Sequence, residues 1–170
     1  ELFLIGNLNY IKNSSEIKLF DAVINWPPDS LFLGKFKNFL RIYLPTFFLN
    51  FELIFKFCSI QDYKNYLDKL FIMIIKLTKK YKNFSPTLIT NWDNTPRYSV
   101  RGILLKNVKT NFFYKKVLSL VPILKKNNTK FIFLKAWNEW AEGNVIEHSQ
   151  KYKNKFIKVI KKIKIKIDEL

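Results

Sequence analysis

Short apolar runs begin near residues 21, 51, 86 and 130, and stretches with helical periodicity lie between them. The spacing of about 30 to 44 residues matches one strand-helix unit of a parallel sheet, because two parallel strands need a crossover of a dozen or more residues. The first strand is expected at residues 21–25, where Trp26-Pro27-Pro28 stops it. The second is expected at residues 51–58, interrupted by Glu52 and Lys56, the third at residues 86–91 and the fourth at residues 130–136. Ser59 with Asp62 fits a capping box, and Tyr63, Tyr66, Leu67, Leu70, Ile74, Leu77 and Tyr81 recur at helical spacing. Thr110 fits the cap of a further helix with Phe113, Val117, Leu120, Val121 and Leu124 on its apolar face, which Pro122 is expected to kink or shorten. Ser149 is expected to open a last helix carrying Phe156, Ile160, Ile163 and Ile167, although the alternation at residues 163–167 fits a strand equally well.

Four such units make half of an eightfold barrel, which typically takes ~250 residues. The expected fold is therefore α/β, the C-terminal portion of a (β/α)8 TIM-type barrel. An open doubly wound sheet is the alternative, but Gly6, Gly34, Gly102 and Gly143 are too far apart to form its glycine-rich phosphate loop. No repeat or linker divides residues 1–170, which read as a single partial domain. Glu1 precedes apolar Leu2-Phe3-Leu4-Ile5 with neither an initiator Met nor a signal peptide, so the beginning of the domain is expected to be missing. The best membrane candidate, residues 42–57, is broken by Pro45, Asn50, Glu52 and Lys56, so no span is expected and a cytoplasmic location is.

A chain that is 48% hydrophobic and 17% aromatic is not a disordered basic tail. Its lone Cys58 and lone His148 exclude a disulfide scaffold and any metal motif built on a His pair or a Cys cluster, so neither metal nor cofactor is expected. Lys and Arg number 30 against 13 Asp and Glu, a net charge of +17. Such a balance suits nucleic acid, yet arginine, the usual reader of bases and phosphates, occurs only at Arg41, Arg97 and Arg101. The excess lysine reads better as a solvated surface, and nucleic acid is not an expected partner.

All four tryptophans, Trp26, Trp92, Trp137 and Trp140, fall in segments that immediately follow an expected strand, beside Asn25, Asn91 and Asn138. In a parallel barrel those segments share one rim, the face on which active sites are built. Flat rings with neutral amides between them suit a sugar, whose C–H face packs on an indole while its hydroxyls seek donors and acceptors. Residues 137–143 (Trp-Asn-Glu-Trp-Ala-Glu-Gly) add two acids: if they turn helically, Glu139 and Glu142 share a side and repel, which raises one pKa and sets a proton donor beside a base. Paired carboxylates are what glycosidic chemistry requires, although acids are also simply favoured in a first helical turn. The second polar cluster holds Asp93, Asn94 and Arg97: Asp93 suits a pair of sugar hydroxyls and Arg97 an anionic group or a carboxylate, unless the two only pair with each other. The expected catalytic residues are Glu139 and Glu142, and the expected substrate-binding residues are Trp26, Trp92, Asp93, Asn94, Arg97, Trp137, Asn138 and Trp140. His148 reads as structural.

Residues 131–143 (Phe-Ile-Phe-Leu-Lys-Ala-Trp-Asn-Glu-Trp-Ala-Glu-Gly), followed by Ile146-Glu147 and Tyr152, resemble the signature segment of the WbsX-like glycosyltransferases of bacterial surface-polysaccharide loci. Trp92-Asp93-Asn94-Thr95-Pro96-Arg97 resembles the other hallmark of that family, and Phe20-Asp21-Ala22-Val23 resembles an earlier strand leading into a Pro-containing loop. The resemblance spans nearly the whole chain but only the C-terminal half or so of such a domain. The family is similar to retaining endo-acting α-mannosidases and α-mannanases, whose fold is a (β/α)8 barrel. That resemblance implies Glu139 as the base that deprotonates the sugar's 2-hydroxyl and Glu142 as the acid on the leaving oxygen. Ala141 stands where those hydrolases usually place a His, His148 where a Pro is expected and Lys153 where a Gly is expected. The chain has no Asp-x-Asp pair to hold a metal and a nucleotide diphosphate. The implied function is glycosyl transfer in making a lipopolysaccharide or capsule, with a carbohydrate substrate and, for a transferase, a nucleotide-sugar donor. The alternatives are an endo-acting hydrolase of the same fold and a truncated noncatalytic sugar-binding fragment. Open strand edges on a half barrel also invite oligomers.

Overall fold

The computed structural model describes residues 2–13, 15–27, 60–98 and 102–169. Strand β1 (Ile5–Asn7) lies parallel to β2 (Ala22–Ile24), with Gly6 opposite Val23. A Cβ at Gly6 would stand 2.6 Å from the Phe20 ring, so only glycine lets this strand lie against it. Strand β3 (Ile60–Asp62) runs directly into helix α1 (Tyr63–Lys80). Strand β4 (Thr87–Ile89) follows, then the single-turn α2 (Thr95–Tyr98), and then β5 (Leu104–Lys106), which pairs in parallel with β3. Helix α3 (Thr110–Lys126) leads to β6 (Phe133–Lys135), which pairs in parallel with β4. A two-residue antiparallel hairpin, β7 (Asn138–Glu139) and β8 (Asn144–Val145), precedes helix α4 (Lys155–Asp168).

The stretch entering β4 also meets β2, through the parallel bridge Val23–Phe84 and the Val23 N–H to Asn83 carbonyl bond of 3.0 Å. Beyond that bridge the Asn25 carboxamide takes over the ladder, accepting from the Thr87 N–H at 2.8 Å and donating to the Thr87 carbonyl at 3.1 Å. One side chain thus continues the pairing of β2 with β4 where the backbones separate. Mixed α/β architecture with parallel pairing is the result. The helices cover one side: Phe113 and Phe156 meet edge to face at 6.1 Å between α3 and α4, and Lys116 of α3 pairs with Asp68 of α1. Tyr63, Tyr66, Leu67, Leu70, Ile74, Leu88, Phe113, Leu120 and Phe156 are fully buried between these layers.

Several boundaries differ from expectation. The cap of α1 is Asp62, whose carboxylate accepts from the Lys64 and Asn65 N–H groups, while Ser59 and the strand expected at residues 51–58 lie outside the described residues. Thr110 is the first residue of α3, and the cap position is Lys109, which supplies no side-chain bond. Pro122 does not shorten α3, which runs on to Lys126. A helix-interior proline costs about 3 kcal/mol, and the burial of Phe113, Val117, Leu120, Val121 and Leu124 at ~1.5 to 3 kcal/mol each for the larger side chains outweighs it. Only residues 133–135 of the fourth expected strand pair with a neighbour, and just before them Phe131 stacks edge to face on Phe3 at 5.4 Å. Ser149 opens no helix: its hydroxyl oxygen accepts from the Tyr152 N–H within a tight turn, and α4 begins only at Lys155. The alternation at residues 163–167 is helical, with Ile163 buried and the lysines outward. Strands β1, β3 and β5 and the hairpin were not expected.

Candidate functional site

The segments that follow β2, β4 and β6 all emerge at the same end of these parallel strands, and they carry every tryptophan. After β4, Thr90 and Asn91 are buried: the Thr90 hydroxyl lies 3.4 Å from Asn144 Oδ1, and Asn91 Oδ1 accepts from the Val145 N–H at 3.3 Å. The Asp93 N–H donates to the Glu142 carbonyl at 2.8 Å, and Leu105 N–H donates to the Trp92 carbonyl at 2.8 Å. These bonds fasten the Trp92-Asp93 loop to the acidic segment on one side and to β5 on the other.

The acidic segment is a hairpin closed by a 3-10 turn. Glu139 ends β7, Trp140–Glu142 form a single 3-10 turn, and Gly143 returns the chain at a φ of 56°, the left-handed region that glycine favours. A Cβ at Gly143 would also press to 3.1 Å from the Asp93 Cβ, so the close approach of the two loops requires glycine. Glu139 stands at the cap of this turn and Glu142 ends it. The Trp140 indole N–H is held by the Glu147 carboxylate at 2.6 Å, and the Ile146 N–H donates to the Trp137 carbonyl at 2.9 Å, which fixes the base of the hairpin.

The expected binding residues divide. Trp137 and Trp140 are 58% and 56% exposed and Trp26 is 38% exposed, so their rings face outward at the rim. Trp92 is 4% exposed, and its indole nitrogen has no hydrogen-bond partner among the described residues. Asn94, expected at the substrate, is buried and engaged with the backbone: its Oδ1 accepts from the Ile103 N–H at 2.5 Å, which ties β5 to the loop. Asp93 does not pair with Arg97. Its Oδ1 instead accepts the Thr95 N–H at 3.1 Å and the Thr95 hydroxyl at 2.5 Å, an arrangement that short polar side chains adopt at turns. Arg97 is exposed and lies 5.7 Å from the Tyr98 ring, and Asn138 is exposed on β7.

Two features were missed. The Lys135 ammonium, at the end of β6, lies 4.6 Å from the ring of Trp26 and 4.6 Å from that of Trp92, with the Pro27 carbonyl at 3.5 Å. A cation between two indoles joins the rims of three strands. A cavity of about 530 Å³ also opens beside the loop, walled by Trp92, Trp140 and Tyr152 and bordered by Asp93, His148 and Lys151. Its size suits one to two sugar rings. Neither spacing nor periodicity in the sequence relates His148 or Lys151 to Trp92.

The pattern of the family described as "Glycosyltransferase WbsX" matches residues 1–160. The chain belongs to the WbsX glycosyltransferase family. No curated protein matches this WbsX-family chain significantly. Among solved structures it is similar to a "Glycoside hydrolase-like protein", at a TM-score of 0.50 and 14% identity over 96% of this chain. The WbsX-family chain spans 44% of that protein's length, and at this identity the likeness speaks to the fold.

Proposed function

We propose that this chain is the C-terminal part of a (β/α)8 barrel, a single partial domain, that transfers a glycosyl group in the assembly of a bacterial surface polysaccharide. Glu139 is the base that takes the proton of the sugar's 2-hydroxyl, and Glu142 is the acid that protonates the departing oxygen. Trp26, Trp137 and Trp140 offer the sugar its apolar faces, Asn138 its amide and Arg97 a charge at the rim. The observation that carries this reading is the 2.8 Å bond from the Asp93 N–H to the Glu142 carbonyl, which draws the two family hallmarks into one loop cluster beside the aromatic cavity.

The test replaces one carboxylate at a time in the full chain as its own cell produces it. Glu142→Gln and Glu139→Gln are each expected to lower turnover by about 10² to 10⁴ fold while sugar binding persists. Normal turnover in either variant sinks the assignment of that residue. A second reading, hydrolysis by the same site, draws on the hydrolase-like structural neighbour. The product separates them: a new glycosidic bond on an added saccharide acceptor marks a transferase, and release of free reducing sugar marks a hydrolase.

A further inference from the structure

The cations of this chain are concentrated in one place. Residues 148–167 hold eight lysines in 20 positions and no acid, against 27 lysines in all 170 residues, so a uniform excess of lysine does not account for them. Helix α4 arranges them: positions 158, 161, 162, 165 and 166 stand at i, i+3, i+4, i+7 and i+8, which puts Lys158, Lys161, Lys162 and Lys166 on one stripe with Ile165 among them. All four lysines are exposed, and Ile165 is 56% exposed. The apolar side of α4 is already used, since Phe156 meets Phe113 and Ile160, Ile163 and Ile167 lie with Leu88 and Leu134 of the strands. Lys166 pairs with Glu169 at 2.7 Å, whereas Lys158, Lys161 and Lys162 form no ion pair among the described residues. Unpaired cations on a convex helix, level with an apolar side chain, complement a broad anionic surface that is apolar just beneath its charges.

We propose that the outer face of α4 docks on an anionic lipid bilayer, with Lys158, Lys161, Lys162 and Lys166 against the headgroup phosphates and Ile165 entering between them. The helix keeps its apolar side on the protein core, so the contact is peripheral and chiefly electrostatic. Each lysine near such a surface multiplies the partition coefficient about fivefold, and the attraction is screened by salt. Nucleic acid fits the face less well: α4 contains no arginine to read bases, and a phosphate backbone gives Ile165 nothing to enter. This docking is independent of the carbohydrate reading above.

Flotation of the full chain with lipid vesicles tests it. At about 0.15 M salt the chain is expected to float with vesicles of phosphatidylcholine containing about 30 mol% phosphatidylglycerol, to stay behind with phosphatidylcholine alone, and to be released at about 0.5 M salt. The triple variant Lys158→Gln, Lys161→Gln, Lys162→Gln is expected to lose roughly a hundredfold in partitioning, the product of three fivefold steps. A matched triple on α1, Lys69→Gln, Lys76→Gln, Lys79→Gln, removes the same charge from exposed positions and is expected to lose less than about threefold, because α3 packs between α1 and α4 and holds those lysines beyond a Debye length of the docked face. Ile165→Gln is expected to weaken vesicle binding several-fold and to leave binding to a duplex of about 30 base pairs unchanged. Circular dichroism checks the fold of each variant. Equal losses in the two triples would assign the effect to net charge and overturn the proposal, as would full vesicle binding by Ile165→Gln, equal binding to phosphatidylcholine alone, or tighter binding to the duplex than to the anionic vesicles.

Discussion

Lys135 shows how one side chain organises the rim. Its stem leaves β6 and its ammonium reaches indoles that follow two other strands, Trp26 after β2 and Trp92 after β4. A desolvated cation on an indole is worth about 1 to 2 kcal/mol, enough to hold a half-exposed ring in place against its rotamer entropy. Lys135→Met keeps the apolar stem and removes the charge. It is expected to raise KM for the sugar several-fold with a smaller change in kcat, and to shift tryptophan fluorescence emission to the red as Trp26 loosens. An unshifted spectrum with an unchanged KM would mean that the loop after β2 is held by other contacts. The rim was legible in the sequence as far as its tryptophans and acids, because residues that follow strands share one end of a parallel sheet. Lys135 was not legible, since a lysine closing a strand looks like any polar edge. Asn94 misled because its partner, Ile103, lies nine residues further on with no local pattern to link the two.

At the scale of elements, α1 rests on a single well-defined cap. Asp62 accepts from the Lys64 and Asn65 N–H groups and, at 2.9 Å, from the Asn107 amide that follows β5. That amide first, then the two backbone groups and the charge of Lys106, hold the Asp62 carboxyl below its ordinary pKa against the opposing effect of burial. A carboxylate whose pKa is lower in the folded state stabilises the fold above its unfolded value of about 3.9, and the contribution is lost as pH falls through the lower folded value. Asp62→Ala is therefore expected to cost about 1 kcal/mol near neutral pH. Asp62→Asn, which still caps, is expected to lack the part of the acid destabilisation that the wild-type chain shows below about pH 4, measured by urea unfolding across pH. Both long helices were legible because period-3.6 burial is redundant over five or more positions. Their starts were not: Ser59 is as good a cap by composition as Asp62, and at α3 the cap position falls on Lys109, whose side chain makes no capping bond, one residue before the better capping type Thr110. Strands β1, β3 and β5 lack the longer apolar runs that announced β2, β4 and β6, and the hairpin at residues 138–145 depends on Gly143 and a 3-10 turn that no periodicity announces.

The whole molecule carries its charge outward and its unpaired apolar surface at one end. The lysines of α4 line its solvent face around buried Phe156 and Ile163. Among the described residues, no helix is long and apolar enough to cross a membrane. Leu2, Phe3, Leu4, Ile5 and Phe131 are exposed together where the chain enters β1 and β6, and Phe3 stacks on Phe131. Among the described residues β1 pairs only with β2 and β6 only with β4, so one side of each strand has no strand partner among them. Open edges beside exposed apolar side chains recruit further strands, whereas +17 of net charge repels a second copy. Burial of the apolar cluster at ~25 cal/mol per Å² does not weaken with salt, but charge repulsion is screened within about 8 Å at physiological ionic strength. Self-association of the isolated 170-residue chain is therefore expected to rise with salt: light scattering should give a mass near 20.4 kDa at low ionic strength and multiples of it at 0.5 M or so. The double variant Phe3→Lys with Phe131→Lys, which charges the edges without touching the buried layers, is expected to hold the monomer at both. A salt-independent monomer in the unmodified chain would mean that these edges are already covered.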